Sequence, residues 1–498
     1  MQVYNSLGRT LQTFEPAEPG RVRMYVCGMT VYDLCHIGHA RAMISFDMVF
    51  RYLKWKGFEV TYVRNHTDVD DKIIERAAER GEDPLELSAR YIRLLDEDLC
   101  ALGLHEPTEQ PKVSDNIDAI IALAEQLIAR GHAYHSGGDV YFAVETFADY
   151  GKLSNMKLED LEAGKRVAVG DRKRNPADFA LWKAARDGEI AWDSPWGQGR
   201  PGWHIECSVM SMKHLGERFD IHGGGIDLIF PHHENEIAQS ECGTGHAPFA
   251  TYWLHNGHLN IEVSAGGDCE KMSKSLGNVI NIRDILEEVP AEALKLLYLG
   301  SHYRSPLPYS AARLAEAMGG LDRIYLAKES CLKLGAKPPK ATLEQLCNEG
   351  HGKLVEFVNG FRERFEQAMD QDFNTAKAIG DLFELARALN RAADDKSLKK
   401  RGAALFAKAL DAFETTGEVL GIGAMAPQAF FDEFKLKRLA SMGLPIEWVE
   451  GRLEERLAAR AEGDWARADA IRDELHKRCV VVMDGPGGTV DWRMRASG

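Results

Sequence analysis

Two short segments hold side chains suited to handling phosphate. In the first, His36-Ile37-Gly38-His39, two imidazoles sit one turn apart where a strand pattern gives way to a helix. A helix N-terminus carries unpaired N–H groups and the positive end of the dipole, so an anion is favoured there. Gly38 lacks a Cβ and lets a nucleotide ring or phosphate approach the backbone closely. In the second, Lys271-Met272-Ser273-Lys274-Ser275, two ammonium groups can face one anion. Gly266, Gly267 and Gly277 flank them, and mobile cations suit a charge that develops in a transition state. Taken singly, each segment also reads as an ordinary solvated stretch.

A third group has the types of metal ligands. Cys27 follows a strand pattern, and Cys207 lies in Trp203-His204-Ile205-Glu206-Cys207. His232 and Glu236 lie in Pro231-His232-His233-Glu234-Asn235-Glu236. On a helix starting at Pro231 they are i, i+4 and share a face. Two Cys, one His and one Glu form a zinc set by ligand type. Their scattered spacing, taken alone, suits four independent core or surface residues better than a metal site.

The elements that must position these groups follow from periodicity. Arg21 to Cys27 alternates and reads as a strand; a helical pattern runs from Ile37 to about Lys54; Val60 to Arg64 reads as a second strand. Strand, helix, strand suggests a βαβ unit and a parallel sheet. Residues from about Lys112 to Arg200 look inserted, with a helix over Ile117 to Gly131 and short strands near Asp139 to Val144. The run Asp193 to Trp203 has loop and turn chemistry throughout. Phe219 to Ile221 predicts a strand before three glycines, with a helix from about His232. From Tyr309 to about Gly421 a 3.6-residue period predicts a helix bundle, followed by a small C-terminal unit.

Composition sets bounds. The chain has 498 residues, enough for about three domains. Lys plus Arg is 61 and Asp plus Glu is 76, a net charge of −15. That excess argues against an obvious nucleic-acid partner but leaves a local basic groove open. Nine cysteines, an odd number without CxxC spacing, argue against a disulfide framework and for a reducing compartment. No apolar leader and no membrane-length apolar run are visible, so the expected location is cytoplasmic. His222-Gly223-Gly224-Gly225 suggests an oxyanion hole, but no GxSxG elbow accompanies it, and there is no GxxxxGK[ST] loop.

The HIGH and KMSKS peptides together, in this order, resemble the signature pair of class I aminoacyl-tRNA synthetases. The segments CGMTVYDLCHIGHAR, YVRNHTDVDDKI, GRPGWHIECS, FDIHGGGIDLIFPHHENEIAQS and KMSKSLGN resemble the cysteinyl-tRNA synthetase family within that class. The resemblance covers essentially the whole chain and is densest over 24–72 and 199–278. It implies an α/β fold: a Rossmann-like parallel-sheet catalytic domain over 1–111 and 201–308, and an inserted connective subdomain over 112–200. A helical bundle for the tRNA stem over 309–425 and an anticodon-binding domain over 426–498 would follow.

The resemblance also implies roles. Cys27, Cys207, His232 and Glu236 would hold one zinc ion, with His233 the tempting misassignment. Thr67, Trp203 and His222 would surround the substrate L-cysteine. His36, Gly38, His39, Asp227 (in a GxDxxxxH pattern) and Lys274 would bind ATP with Mg²⁺. His36, His39, Lys271 and Lys274 would stabilise the reacting phosphates. The partner would be tRNA(Cys), and the state a monomer. Trp465 and Trp492 are candidates either for stacking on anticodon bases or for packing a small core. Two basic clusters, Lys435, Lys437 and Arg438, and Lys165, Arg166, Arg172, Lys173 and Arg174, are candidate phosphate contacts or solvated faces. The segment HLNIEVSAGGDCE before Lys271 is longer than the family's usual hairpin, and Cys269 within it reads as a redox site or an exposed bystander. Two alternatives are open: a cysteine:amino-sugar ligase of mycothiol synthesis, and a non-catalytic tRNA-binding relative.

Overall fold

The computed structural model describes residues 1–157, 172–186, 188–262, 279–485 and 489–495, and the backbone at 269–271. They form two compact units. The first comprises Met1–Cys100, Leu104–His258 and Tyr303–Pro306; the second comprises Ala101–Gly103, Leu259–His302 and Leu307–Gly498.

The first unit is built on four parallel strands. After a short hairpin of β1 (Gln2–Asn5) and β2 (Thr10–Thr13), the chain enters β3 (Arg21–Val26), α1 (Ile37–Trp55) and β4 (Glu59–Arg64). The helices α2 (Asp71–Arg80) and α3 (Pro84–Ala101) follow. The inserted segment supplies α4 (Ile117–Ala129) and an antiparallel sheet of β5 (Ala133–Ser136), β6 (Asp139–Phe142), β7 (Phe179–Ala184) and β8 (Gly199–Pro201). Strand β8 lies within the run expected to be all loop. Then come α5 (Trp203–Leu215), β9 (Phe219–Gly225), α6 (Glu234–Thr244) and β10 (Ala250–Asn256).

The main sheet has the order β10-β9-β3-β4, parallel throughout. The chain moves outward from β3 to β4 on one side and from β9 to β10 on the other. The switch therefore lies between β3 and β9, where open α/β sheets bind ligands beyond the strands' carboxyl ends. Register places Tyr25 beside His222 and His222 beside Trp253. The strands are apolar because both faces are covered: Val22, Met24, Tyr25 and Val26 are all buried.

Strand β9 runs through its glycines instead of ending at Ile221. A Cβ on Gly223 would come within 2.3 Å of the Phe46 ring, so α1 can lie close to the sheet only with glycine here. The cost of glycine in a strand is offset by that helix–sheet packing.

The second unit opens on β11 (Leu259–Glu262), which pairs antiparallel with β12 (Cys269–Lys271) and parallel with β13 (Leu307–Tyr309). The segment expected as the catalytic domain's second half, 201–308, is shared between the two units: its residues up to His258 and Tyr303–Pro306 belong to the first, Leu259–His302 and the start of β13 to the second. Helices dominate from Ala311 onward, as periodicity predicts. Glu292, buried, accepts from Tyr325 Oη at 2.8 Å and from the N–H groups of Gly423 and Ala424 at 2.9 and 3.2 Å. The turn after Leu420 is thereby tied to the bundle core. A C-terminal hairpin of Val480–Asp484 and Val490–Met494 closes the chain's last domain.

Candidate metal centre and active site

Cys27 leaves β3 at the switch point, its N–H donating to Gly223 O at 3.1 Å. Gly28 follows with N–H to Asn65 Oδ1 at 2.8 Å, and a Cβ on it would stand 1.7 Å from Asn65 O. Only glycine lets the chain turn there and leave the Cys27 thiol facing inward. Cys207 comes from the second turn of α5. His232 lies in an irregular turn just before α6, which starts at Glu234, two residues later than expected, and brings Glu236.

These four side chains converge. Their candidate donor atoms all lie within 4.8 Å of one another, and all four residues are buried. Cys27 Sγ is 3.6 Å from Cys207 Sγ and 3.5 Å from Glu236 Oε1; His232 Nε2 is 3.1 Å from the same oxygen. A second set, Cys27, His222, His233 and Glu236, meets the same distance limit. His233 Nε2 lies 3.3 Å from Cys27 Sγ and 3.9 Å from Glu236 Oε1. The neighbour of His232 is thus present in the same cluster.

Burial decides the charge of these groups. It pushes the Cys27 thiol and the Glu236 carboxyl well up, the thiol also feeling Cys207. It pushes His232 and His233 well down. His204, His222 and His255 fall to about 3 for the same reason. Burying bare charges costs several kcal/mol each, so the cluster alone favours neutral forms. A divalent cation reverses that preference, because thiolate and carboxylate are its ligand forms and neutral imidazole already is.

A second layer was not legible in the sequence. His204 Nδ1 is 3.1 Å from His232 Nδ1. His233 Nδ1 is 2.8 Å from His255 Nε2, and His255 Nδ1 is 2.8 Å from Ser6 Oγ. Asn65 Oδ1 faces Cys207 Sγ at 3.8 Å, while its Nδ2 donates to Thr67 Oγ1 at 3.2 Å. Such partners orient metal-binding side chains.

The residues expected around the amino acid divide into two groups. Trp203 is 38% exposed and stacks on the His232 ring, centroids 4.4 Å apart. Thr67 is buried and bridges to Thr30 through the backbone. His222, the third residue expected around the cysteine, lies in the core. It is fully buried, stacks on Trp253 at 4.4 Å, and its Nε2 meets Glu236 Oε2 at 2.8 Å.

In the HIGH segment, His36 is the N-cap of α1. Its Nδ1 accepts from the N–H groups of Gly38 and His39 at 3.1 and 3.4 Å, and its ring stacks on His39 at 3.6 Å. Two helix-end amides that the sequence offers to an anion are therefore capped by His36 itself. Asp227 is exposed just past β9, its Oδ1 within 2.5 Å of where a Gly225 Cβ would stand. Lys271 closes β12; its side chain, Cys269's side chain and Lys274 lie outside the described residues.

The basic clusters are largely used internally. Lys437 Nζ donates to Leu286 O at 2.5 Å and Val289 O at 3.2 Å, and Lys435 sits over the Trp492 ring at 3.6 Å. Trp492 is 7% exposed and packs a core, whereas Trp465 is 62% exposed. Arg172 pairs with Asp139 at 3.1 Å, and Arg174 lies over Tyr134 at 4.0 Å. Lys165 and Arg166 fall outside the described residues.

Three family profiles match the chain in succession. Residues 13–319 match the class I (C) tRNA synthetase catalytic domain, 364–424 the DALR domain, and 449–493 the cysteinyl-tRNA ligase anticodon binding domain. A cysteine–tRNA ligase of Geobacter metallireducens is 50% identical over 495 residues, covering 99% of this chain and 100% of that protein. One from Geobacter sulfurreducens is also 50% identical, over 501 residues with the same coverage. Among solved structures, Mycobacterium tuberculosis methionyl-tRNA synthetase in complex with methionyl-adenylate aligns with a TM-score of 0.59 at 16% identity, over 86% of this chain and 94% of that one. That likeness shows the class I synthetase fold. With full-length relatives at this identity, and with the anticodon-binding profile at its C-terminal end, the chain belongs to the cysteine–tRNA ligase family.

Proposed function

We propose that the protein joins L-cysteine to tRNA(Cys) in two steps, with Cys27, Cys207, His232 and Glu236 as the ligands of one zinc ion. The observation that carries the reading is the convergence of those four buried donors at the sheet's switch point. The donor chemistry fits zinc: two soft sulfurs, one imidazole and one carboxylate. Two sulfurs favour this set over the one with His222 and His233. When bound, zinc supplies a Lewis acid that takes a thiolate far better than a hydroxyl, which separates cysteine from serine where shape cannot.

The chain's own residues do the rest by position and charge. Trp203 covers one side of the His232 ring and can close the apolar wall of a small amino-acid pocket. Thr67, held by Asn65, offers a hydroxyl beside it. His222 holds Glu236 in place. In the first step the cysteine carboxylate attacks the α-phosphorus of ATP; an O–P bond forms and the bond to pyrophosphate breaks. His36, Gly38, His39 and Asp227 bind ATP with its Mg²⁺, and Lys271 and Lys274 add charge on the phosphates. No side-chain nucleophile is needed, since positioning and electrostatics suffice.

In the second step a ribose hydroxyl at the tRNA 3′ end attacks the adenylate carbonyl. The ester forms, AMP departs, and the hydroxyl proton passes to solvent. Trp465 is the candidate for stacking on an anticodon base, because it is the exposed one of the pair. The same reading includes a monomeric, cytoplasmic enzyme; no helix among the described residues is long and apolar enough to cross a membrane.

Cysteine-dependent exchange of pyrophosphate into ATP, followed by charging of tRNA(Cys), tests the proposal. Both are expected. Charging of an amino sugar in place of tRNA would overturn it.

A further inference from the structure

A groove in the second unit has no role in the reading above. It lies between the helices Ala311–Gly335 and Thr375–Asp394 and encloses about 400 Å³. Arg323 lines it from the first helix; Phe383, Arg387, Asn390, Arg391 and Asp394 line it from the second. The latter recur at three- and four-residue steps, so they share one helix face. Asn390 Nδ2 donates to Arg323 O at 3.0 Å and ties the two helices together at this point. A Cβ on Gly320 would stand 2.8 Å from Phe383 Cζ, so the ring lies directly against the first helix. The groove therefore has an aromatic floor between two helices joined by a hydrogen bond.

Its cations are not spent on the protein itself. Arg323 lies over the Phe383 ring at 5.8 Å. The side chains of Arg387 and Arg391 have no hydrogen bond or ion pair among the described residues, and all three arginines are exposed. Asp394, the acid of the groove, already faces Lys399 Nζ at 3.6 Å. Arg391 stands in the last helical turn, where the dipole favours a cation, but that effect fades within the turn and leaves Arg387 unexplained. Arg387 and Arg391 are i, i+4, and like charges at that spacing destabilise a helix unless an anion sits between them. This basic groove stands on a chain whose net charge is −15.

The guanidinium fork matches phosphate oxygens two at a time. A phosphate monoester carries about −1.5 to −2 at pH 7 and a diphosphate more, whereas each link of a nucleic-acid backbone carries a single charge. Three guanidiniums around one volume suit a compact group of high charge; a backbone wants its cations spread in a row. The volume also falls within the about 300–1,000 Å³ of small-ligand sites. We infer that this groove binds a diphosphate group, with its oxygens on Arg323, Arg387 and Arg391. The group has two sources: inorganic pyrophosphate, released in the proposed first step, and a nucleoside diphosphate, whose base would meet the Phe383 ring. The site stands apart from the ligase reading, which supplies only the first of these sources.

Equilibrium dialysis of the full-length protein against labelled pyrophosphate and, separately, labelled ADP tests it, at about 0.15 M salt without magnesium. The proteins compared are the native chain, Arg387→Gln, Arg391→Gln, the double variant and Phe383→Leu. The ATP site assigned above is intact in all of them, so the difference between proteins is what counts. The native chain is expected to bind one more pyrophosphate than the double variant. Each single arginine variant is expected to weaken that additional site tenfold or more. Phe383→Leu separates the sources. ADP binding that falls several-fold with pyrophosphate binding unchanged assigns the site to a nucleotide; ADP and pyrophosphate binding that are equal and unmoved assign it to pyrophosphate. The same stoichiometry in the native chain and the double variant would overturn the inference. So would a double variant that keeps its diphosphate binding but loses tRNA(Cys) affinity and part of its salt dependence, because the groove would then be a contact for an RNA backbone.

Discussion

His222 Nε2 lies 2.8 Å from Glu236 Oε2, with both side chains fully buried. The bond occupies one carboxylate oxygen and leaves Oε1 facing Cys27 at 3.5 Å and His232 at 3.1 Å. Trp253, stacked on the imidazole at 4.4 Å, stops the ring from turning away. On the proposed ligand set, His222 is therefore a positioning residue for the Glu236 oxygen that would face the metal. Removing such a partner typically costs 10–100-fold in metal affinity. His222→Leu is expected to release zinc to a graded chelator at about that factor lower competitor strength. His222→Gln keeps a donor and is expected to recover part of the loss. Equal zinc retention in all three proteins would contradict the assignment.

Adjacent histidines make a sharper test of the ligand set. His232 and His233 both reach Glu236 Oε1, at 3.1 and 3.9 Å. His233 is tied through His255 to Ser6, a chain that anchors β10 to the N-terminal segment. His232→Asn is expected to lose most of its bound zinc under dialysis that leaves His233→Asn near one per chain. His233→Asn is expected to lower the unfolding free energy instead, by about 1–3 kcal/mol for a broken buried network. The reverse pattern in zinc content would move the site to the other histidine.

Acid stability should report on Asp47. It is buried in α1 and accepts from His105 N–H at 2.8 Å and Arg51 Nε at 2.6 Å. Burial alone would raise its pKa, but His105 and then Arg51 outweigh that and hold it below the ordinary value. The folded pKa is thus below the unfolded one, about 3.9. Its stabilisation is present above pH 4 and is lost as pH falls through the folded value. Asp47→Asn is expected to cost about 1–3 kcal/mol at pH 7 in urea unfolding, the range for lost hydrogen bonds to a charged group. The gap to the native protein should narrow below pH 4. A gap that is constant down to pH 2.5 would rule this out.

The convergence of the four donors was legible through the family resemblance, since ligand type alone left four independent residues open. Cys27, Cys207, His232 and Glu236 have ligand chemistry, and the HIGH peptide marks the first helix start. The supporting layer was not legible. Asn65, His204, His255 and Ser6 come from four separate segments, and no period links their positions to the residues they hold. The contact of His222 with Glu236 was not legible either, because sequence cannot show that β9 continues to Gly225 with this side chain in the core. The capping of Gly38 and His39 amides by His36 is also a property of the formed helix end. Lys435 and Lys437 read as a basic patch, but their hydrogen-bond and ring partners lie elsewhere in the chain. The net charge of −15 excludes less than it suggests: the cations that matter to tRNA are local, and binding should weaken with salt accordingly.

The central claim is that a metal held by Cys27, Cys207, His232 and Glu236 selects cysteine over serine. Zinc content and the cysteine-to-serine ratio in pyrophosphate exchange, measured on the same preparations of native protein and Cys207→Ser, test it most directly. The native protein should carry one zinc per chain and strongly prefer cysteine. Cys207→Ser should fold normally, lose zinc, and lose at least tenfold in that preference, about 1.4 kcal/mol. A metal-free protein that keeps its full preference for cysteine would contradict the account.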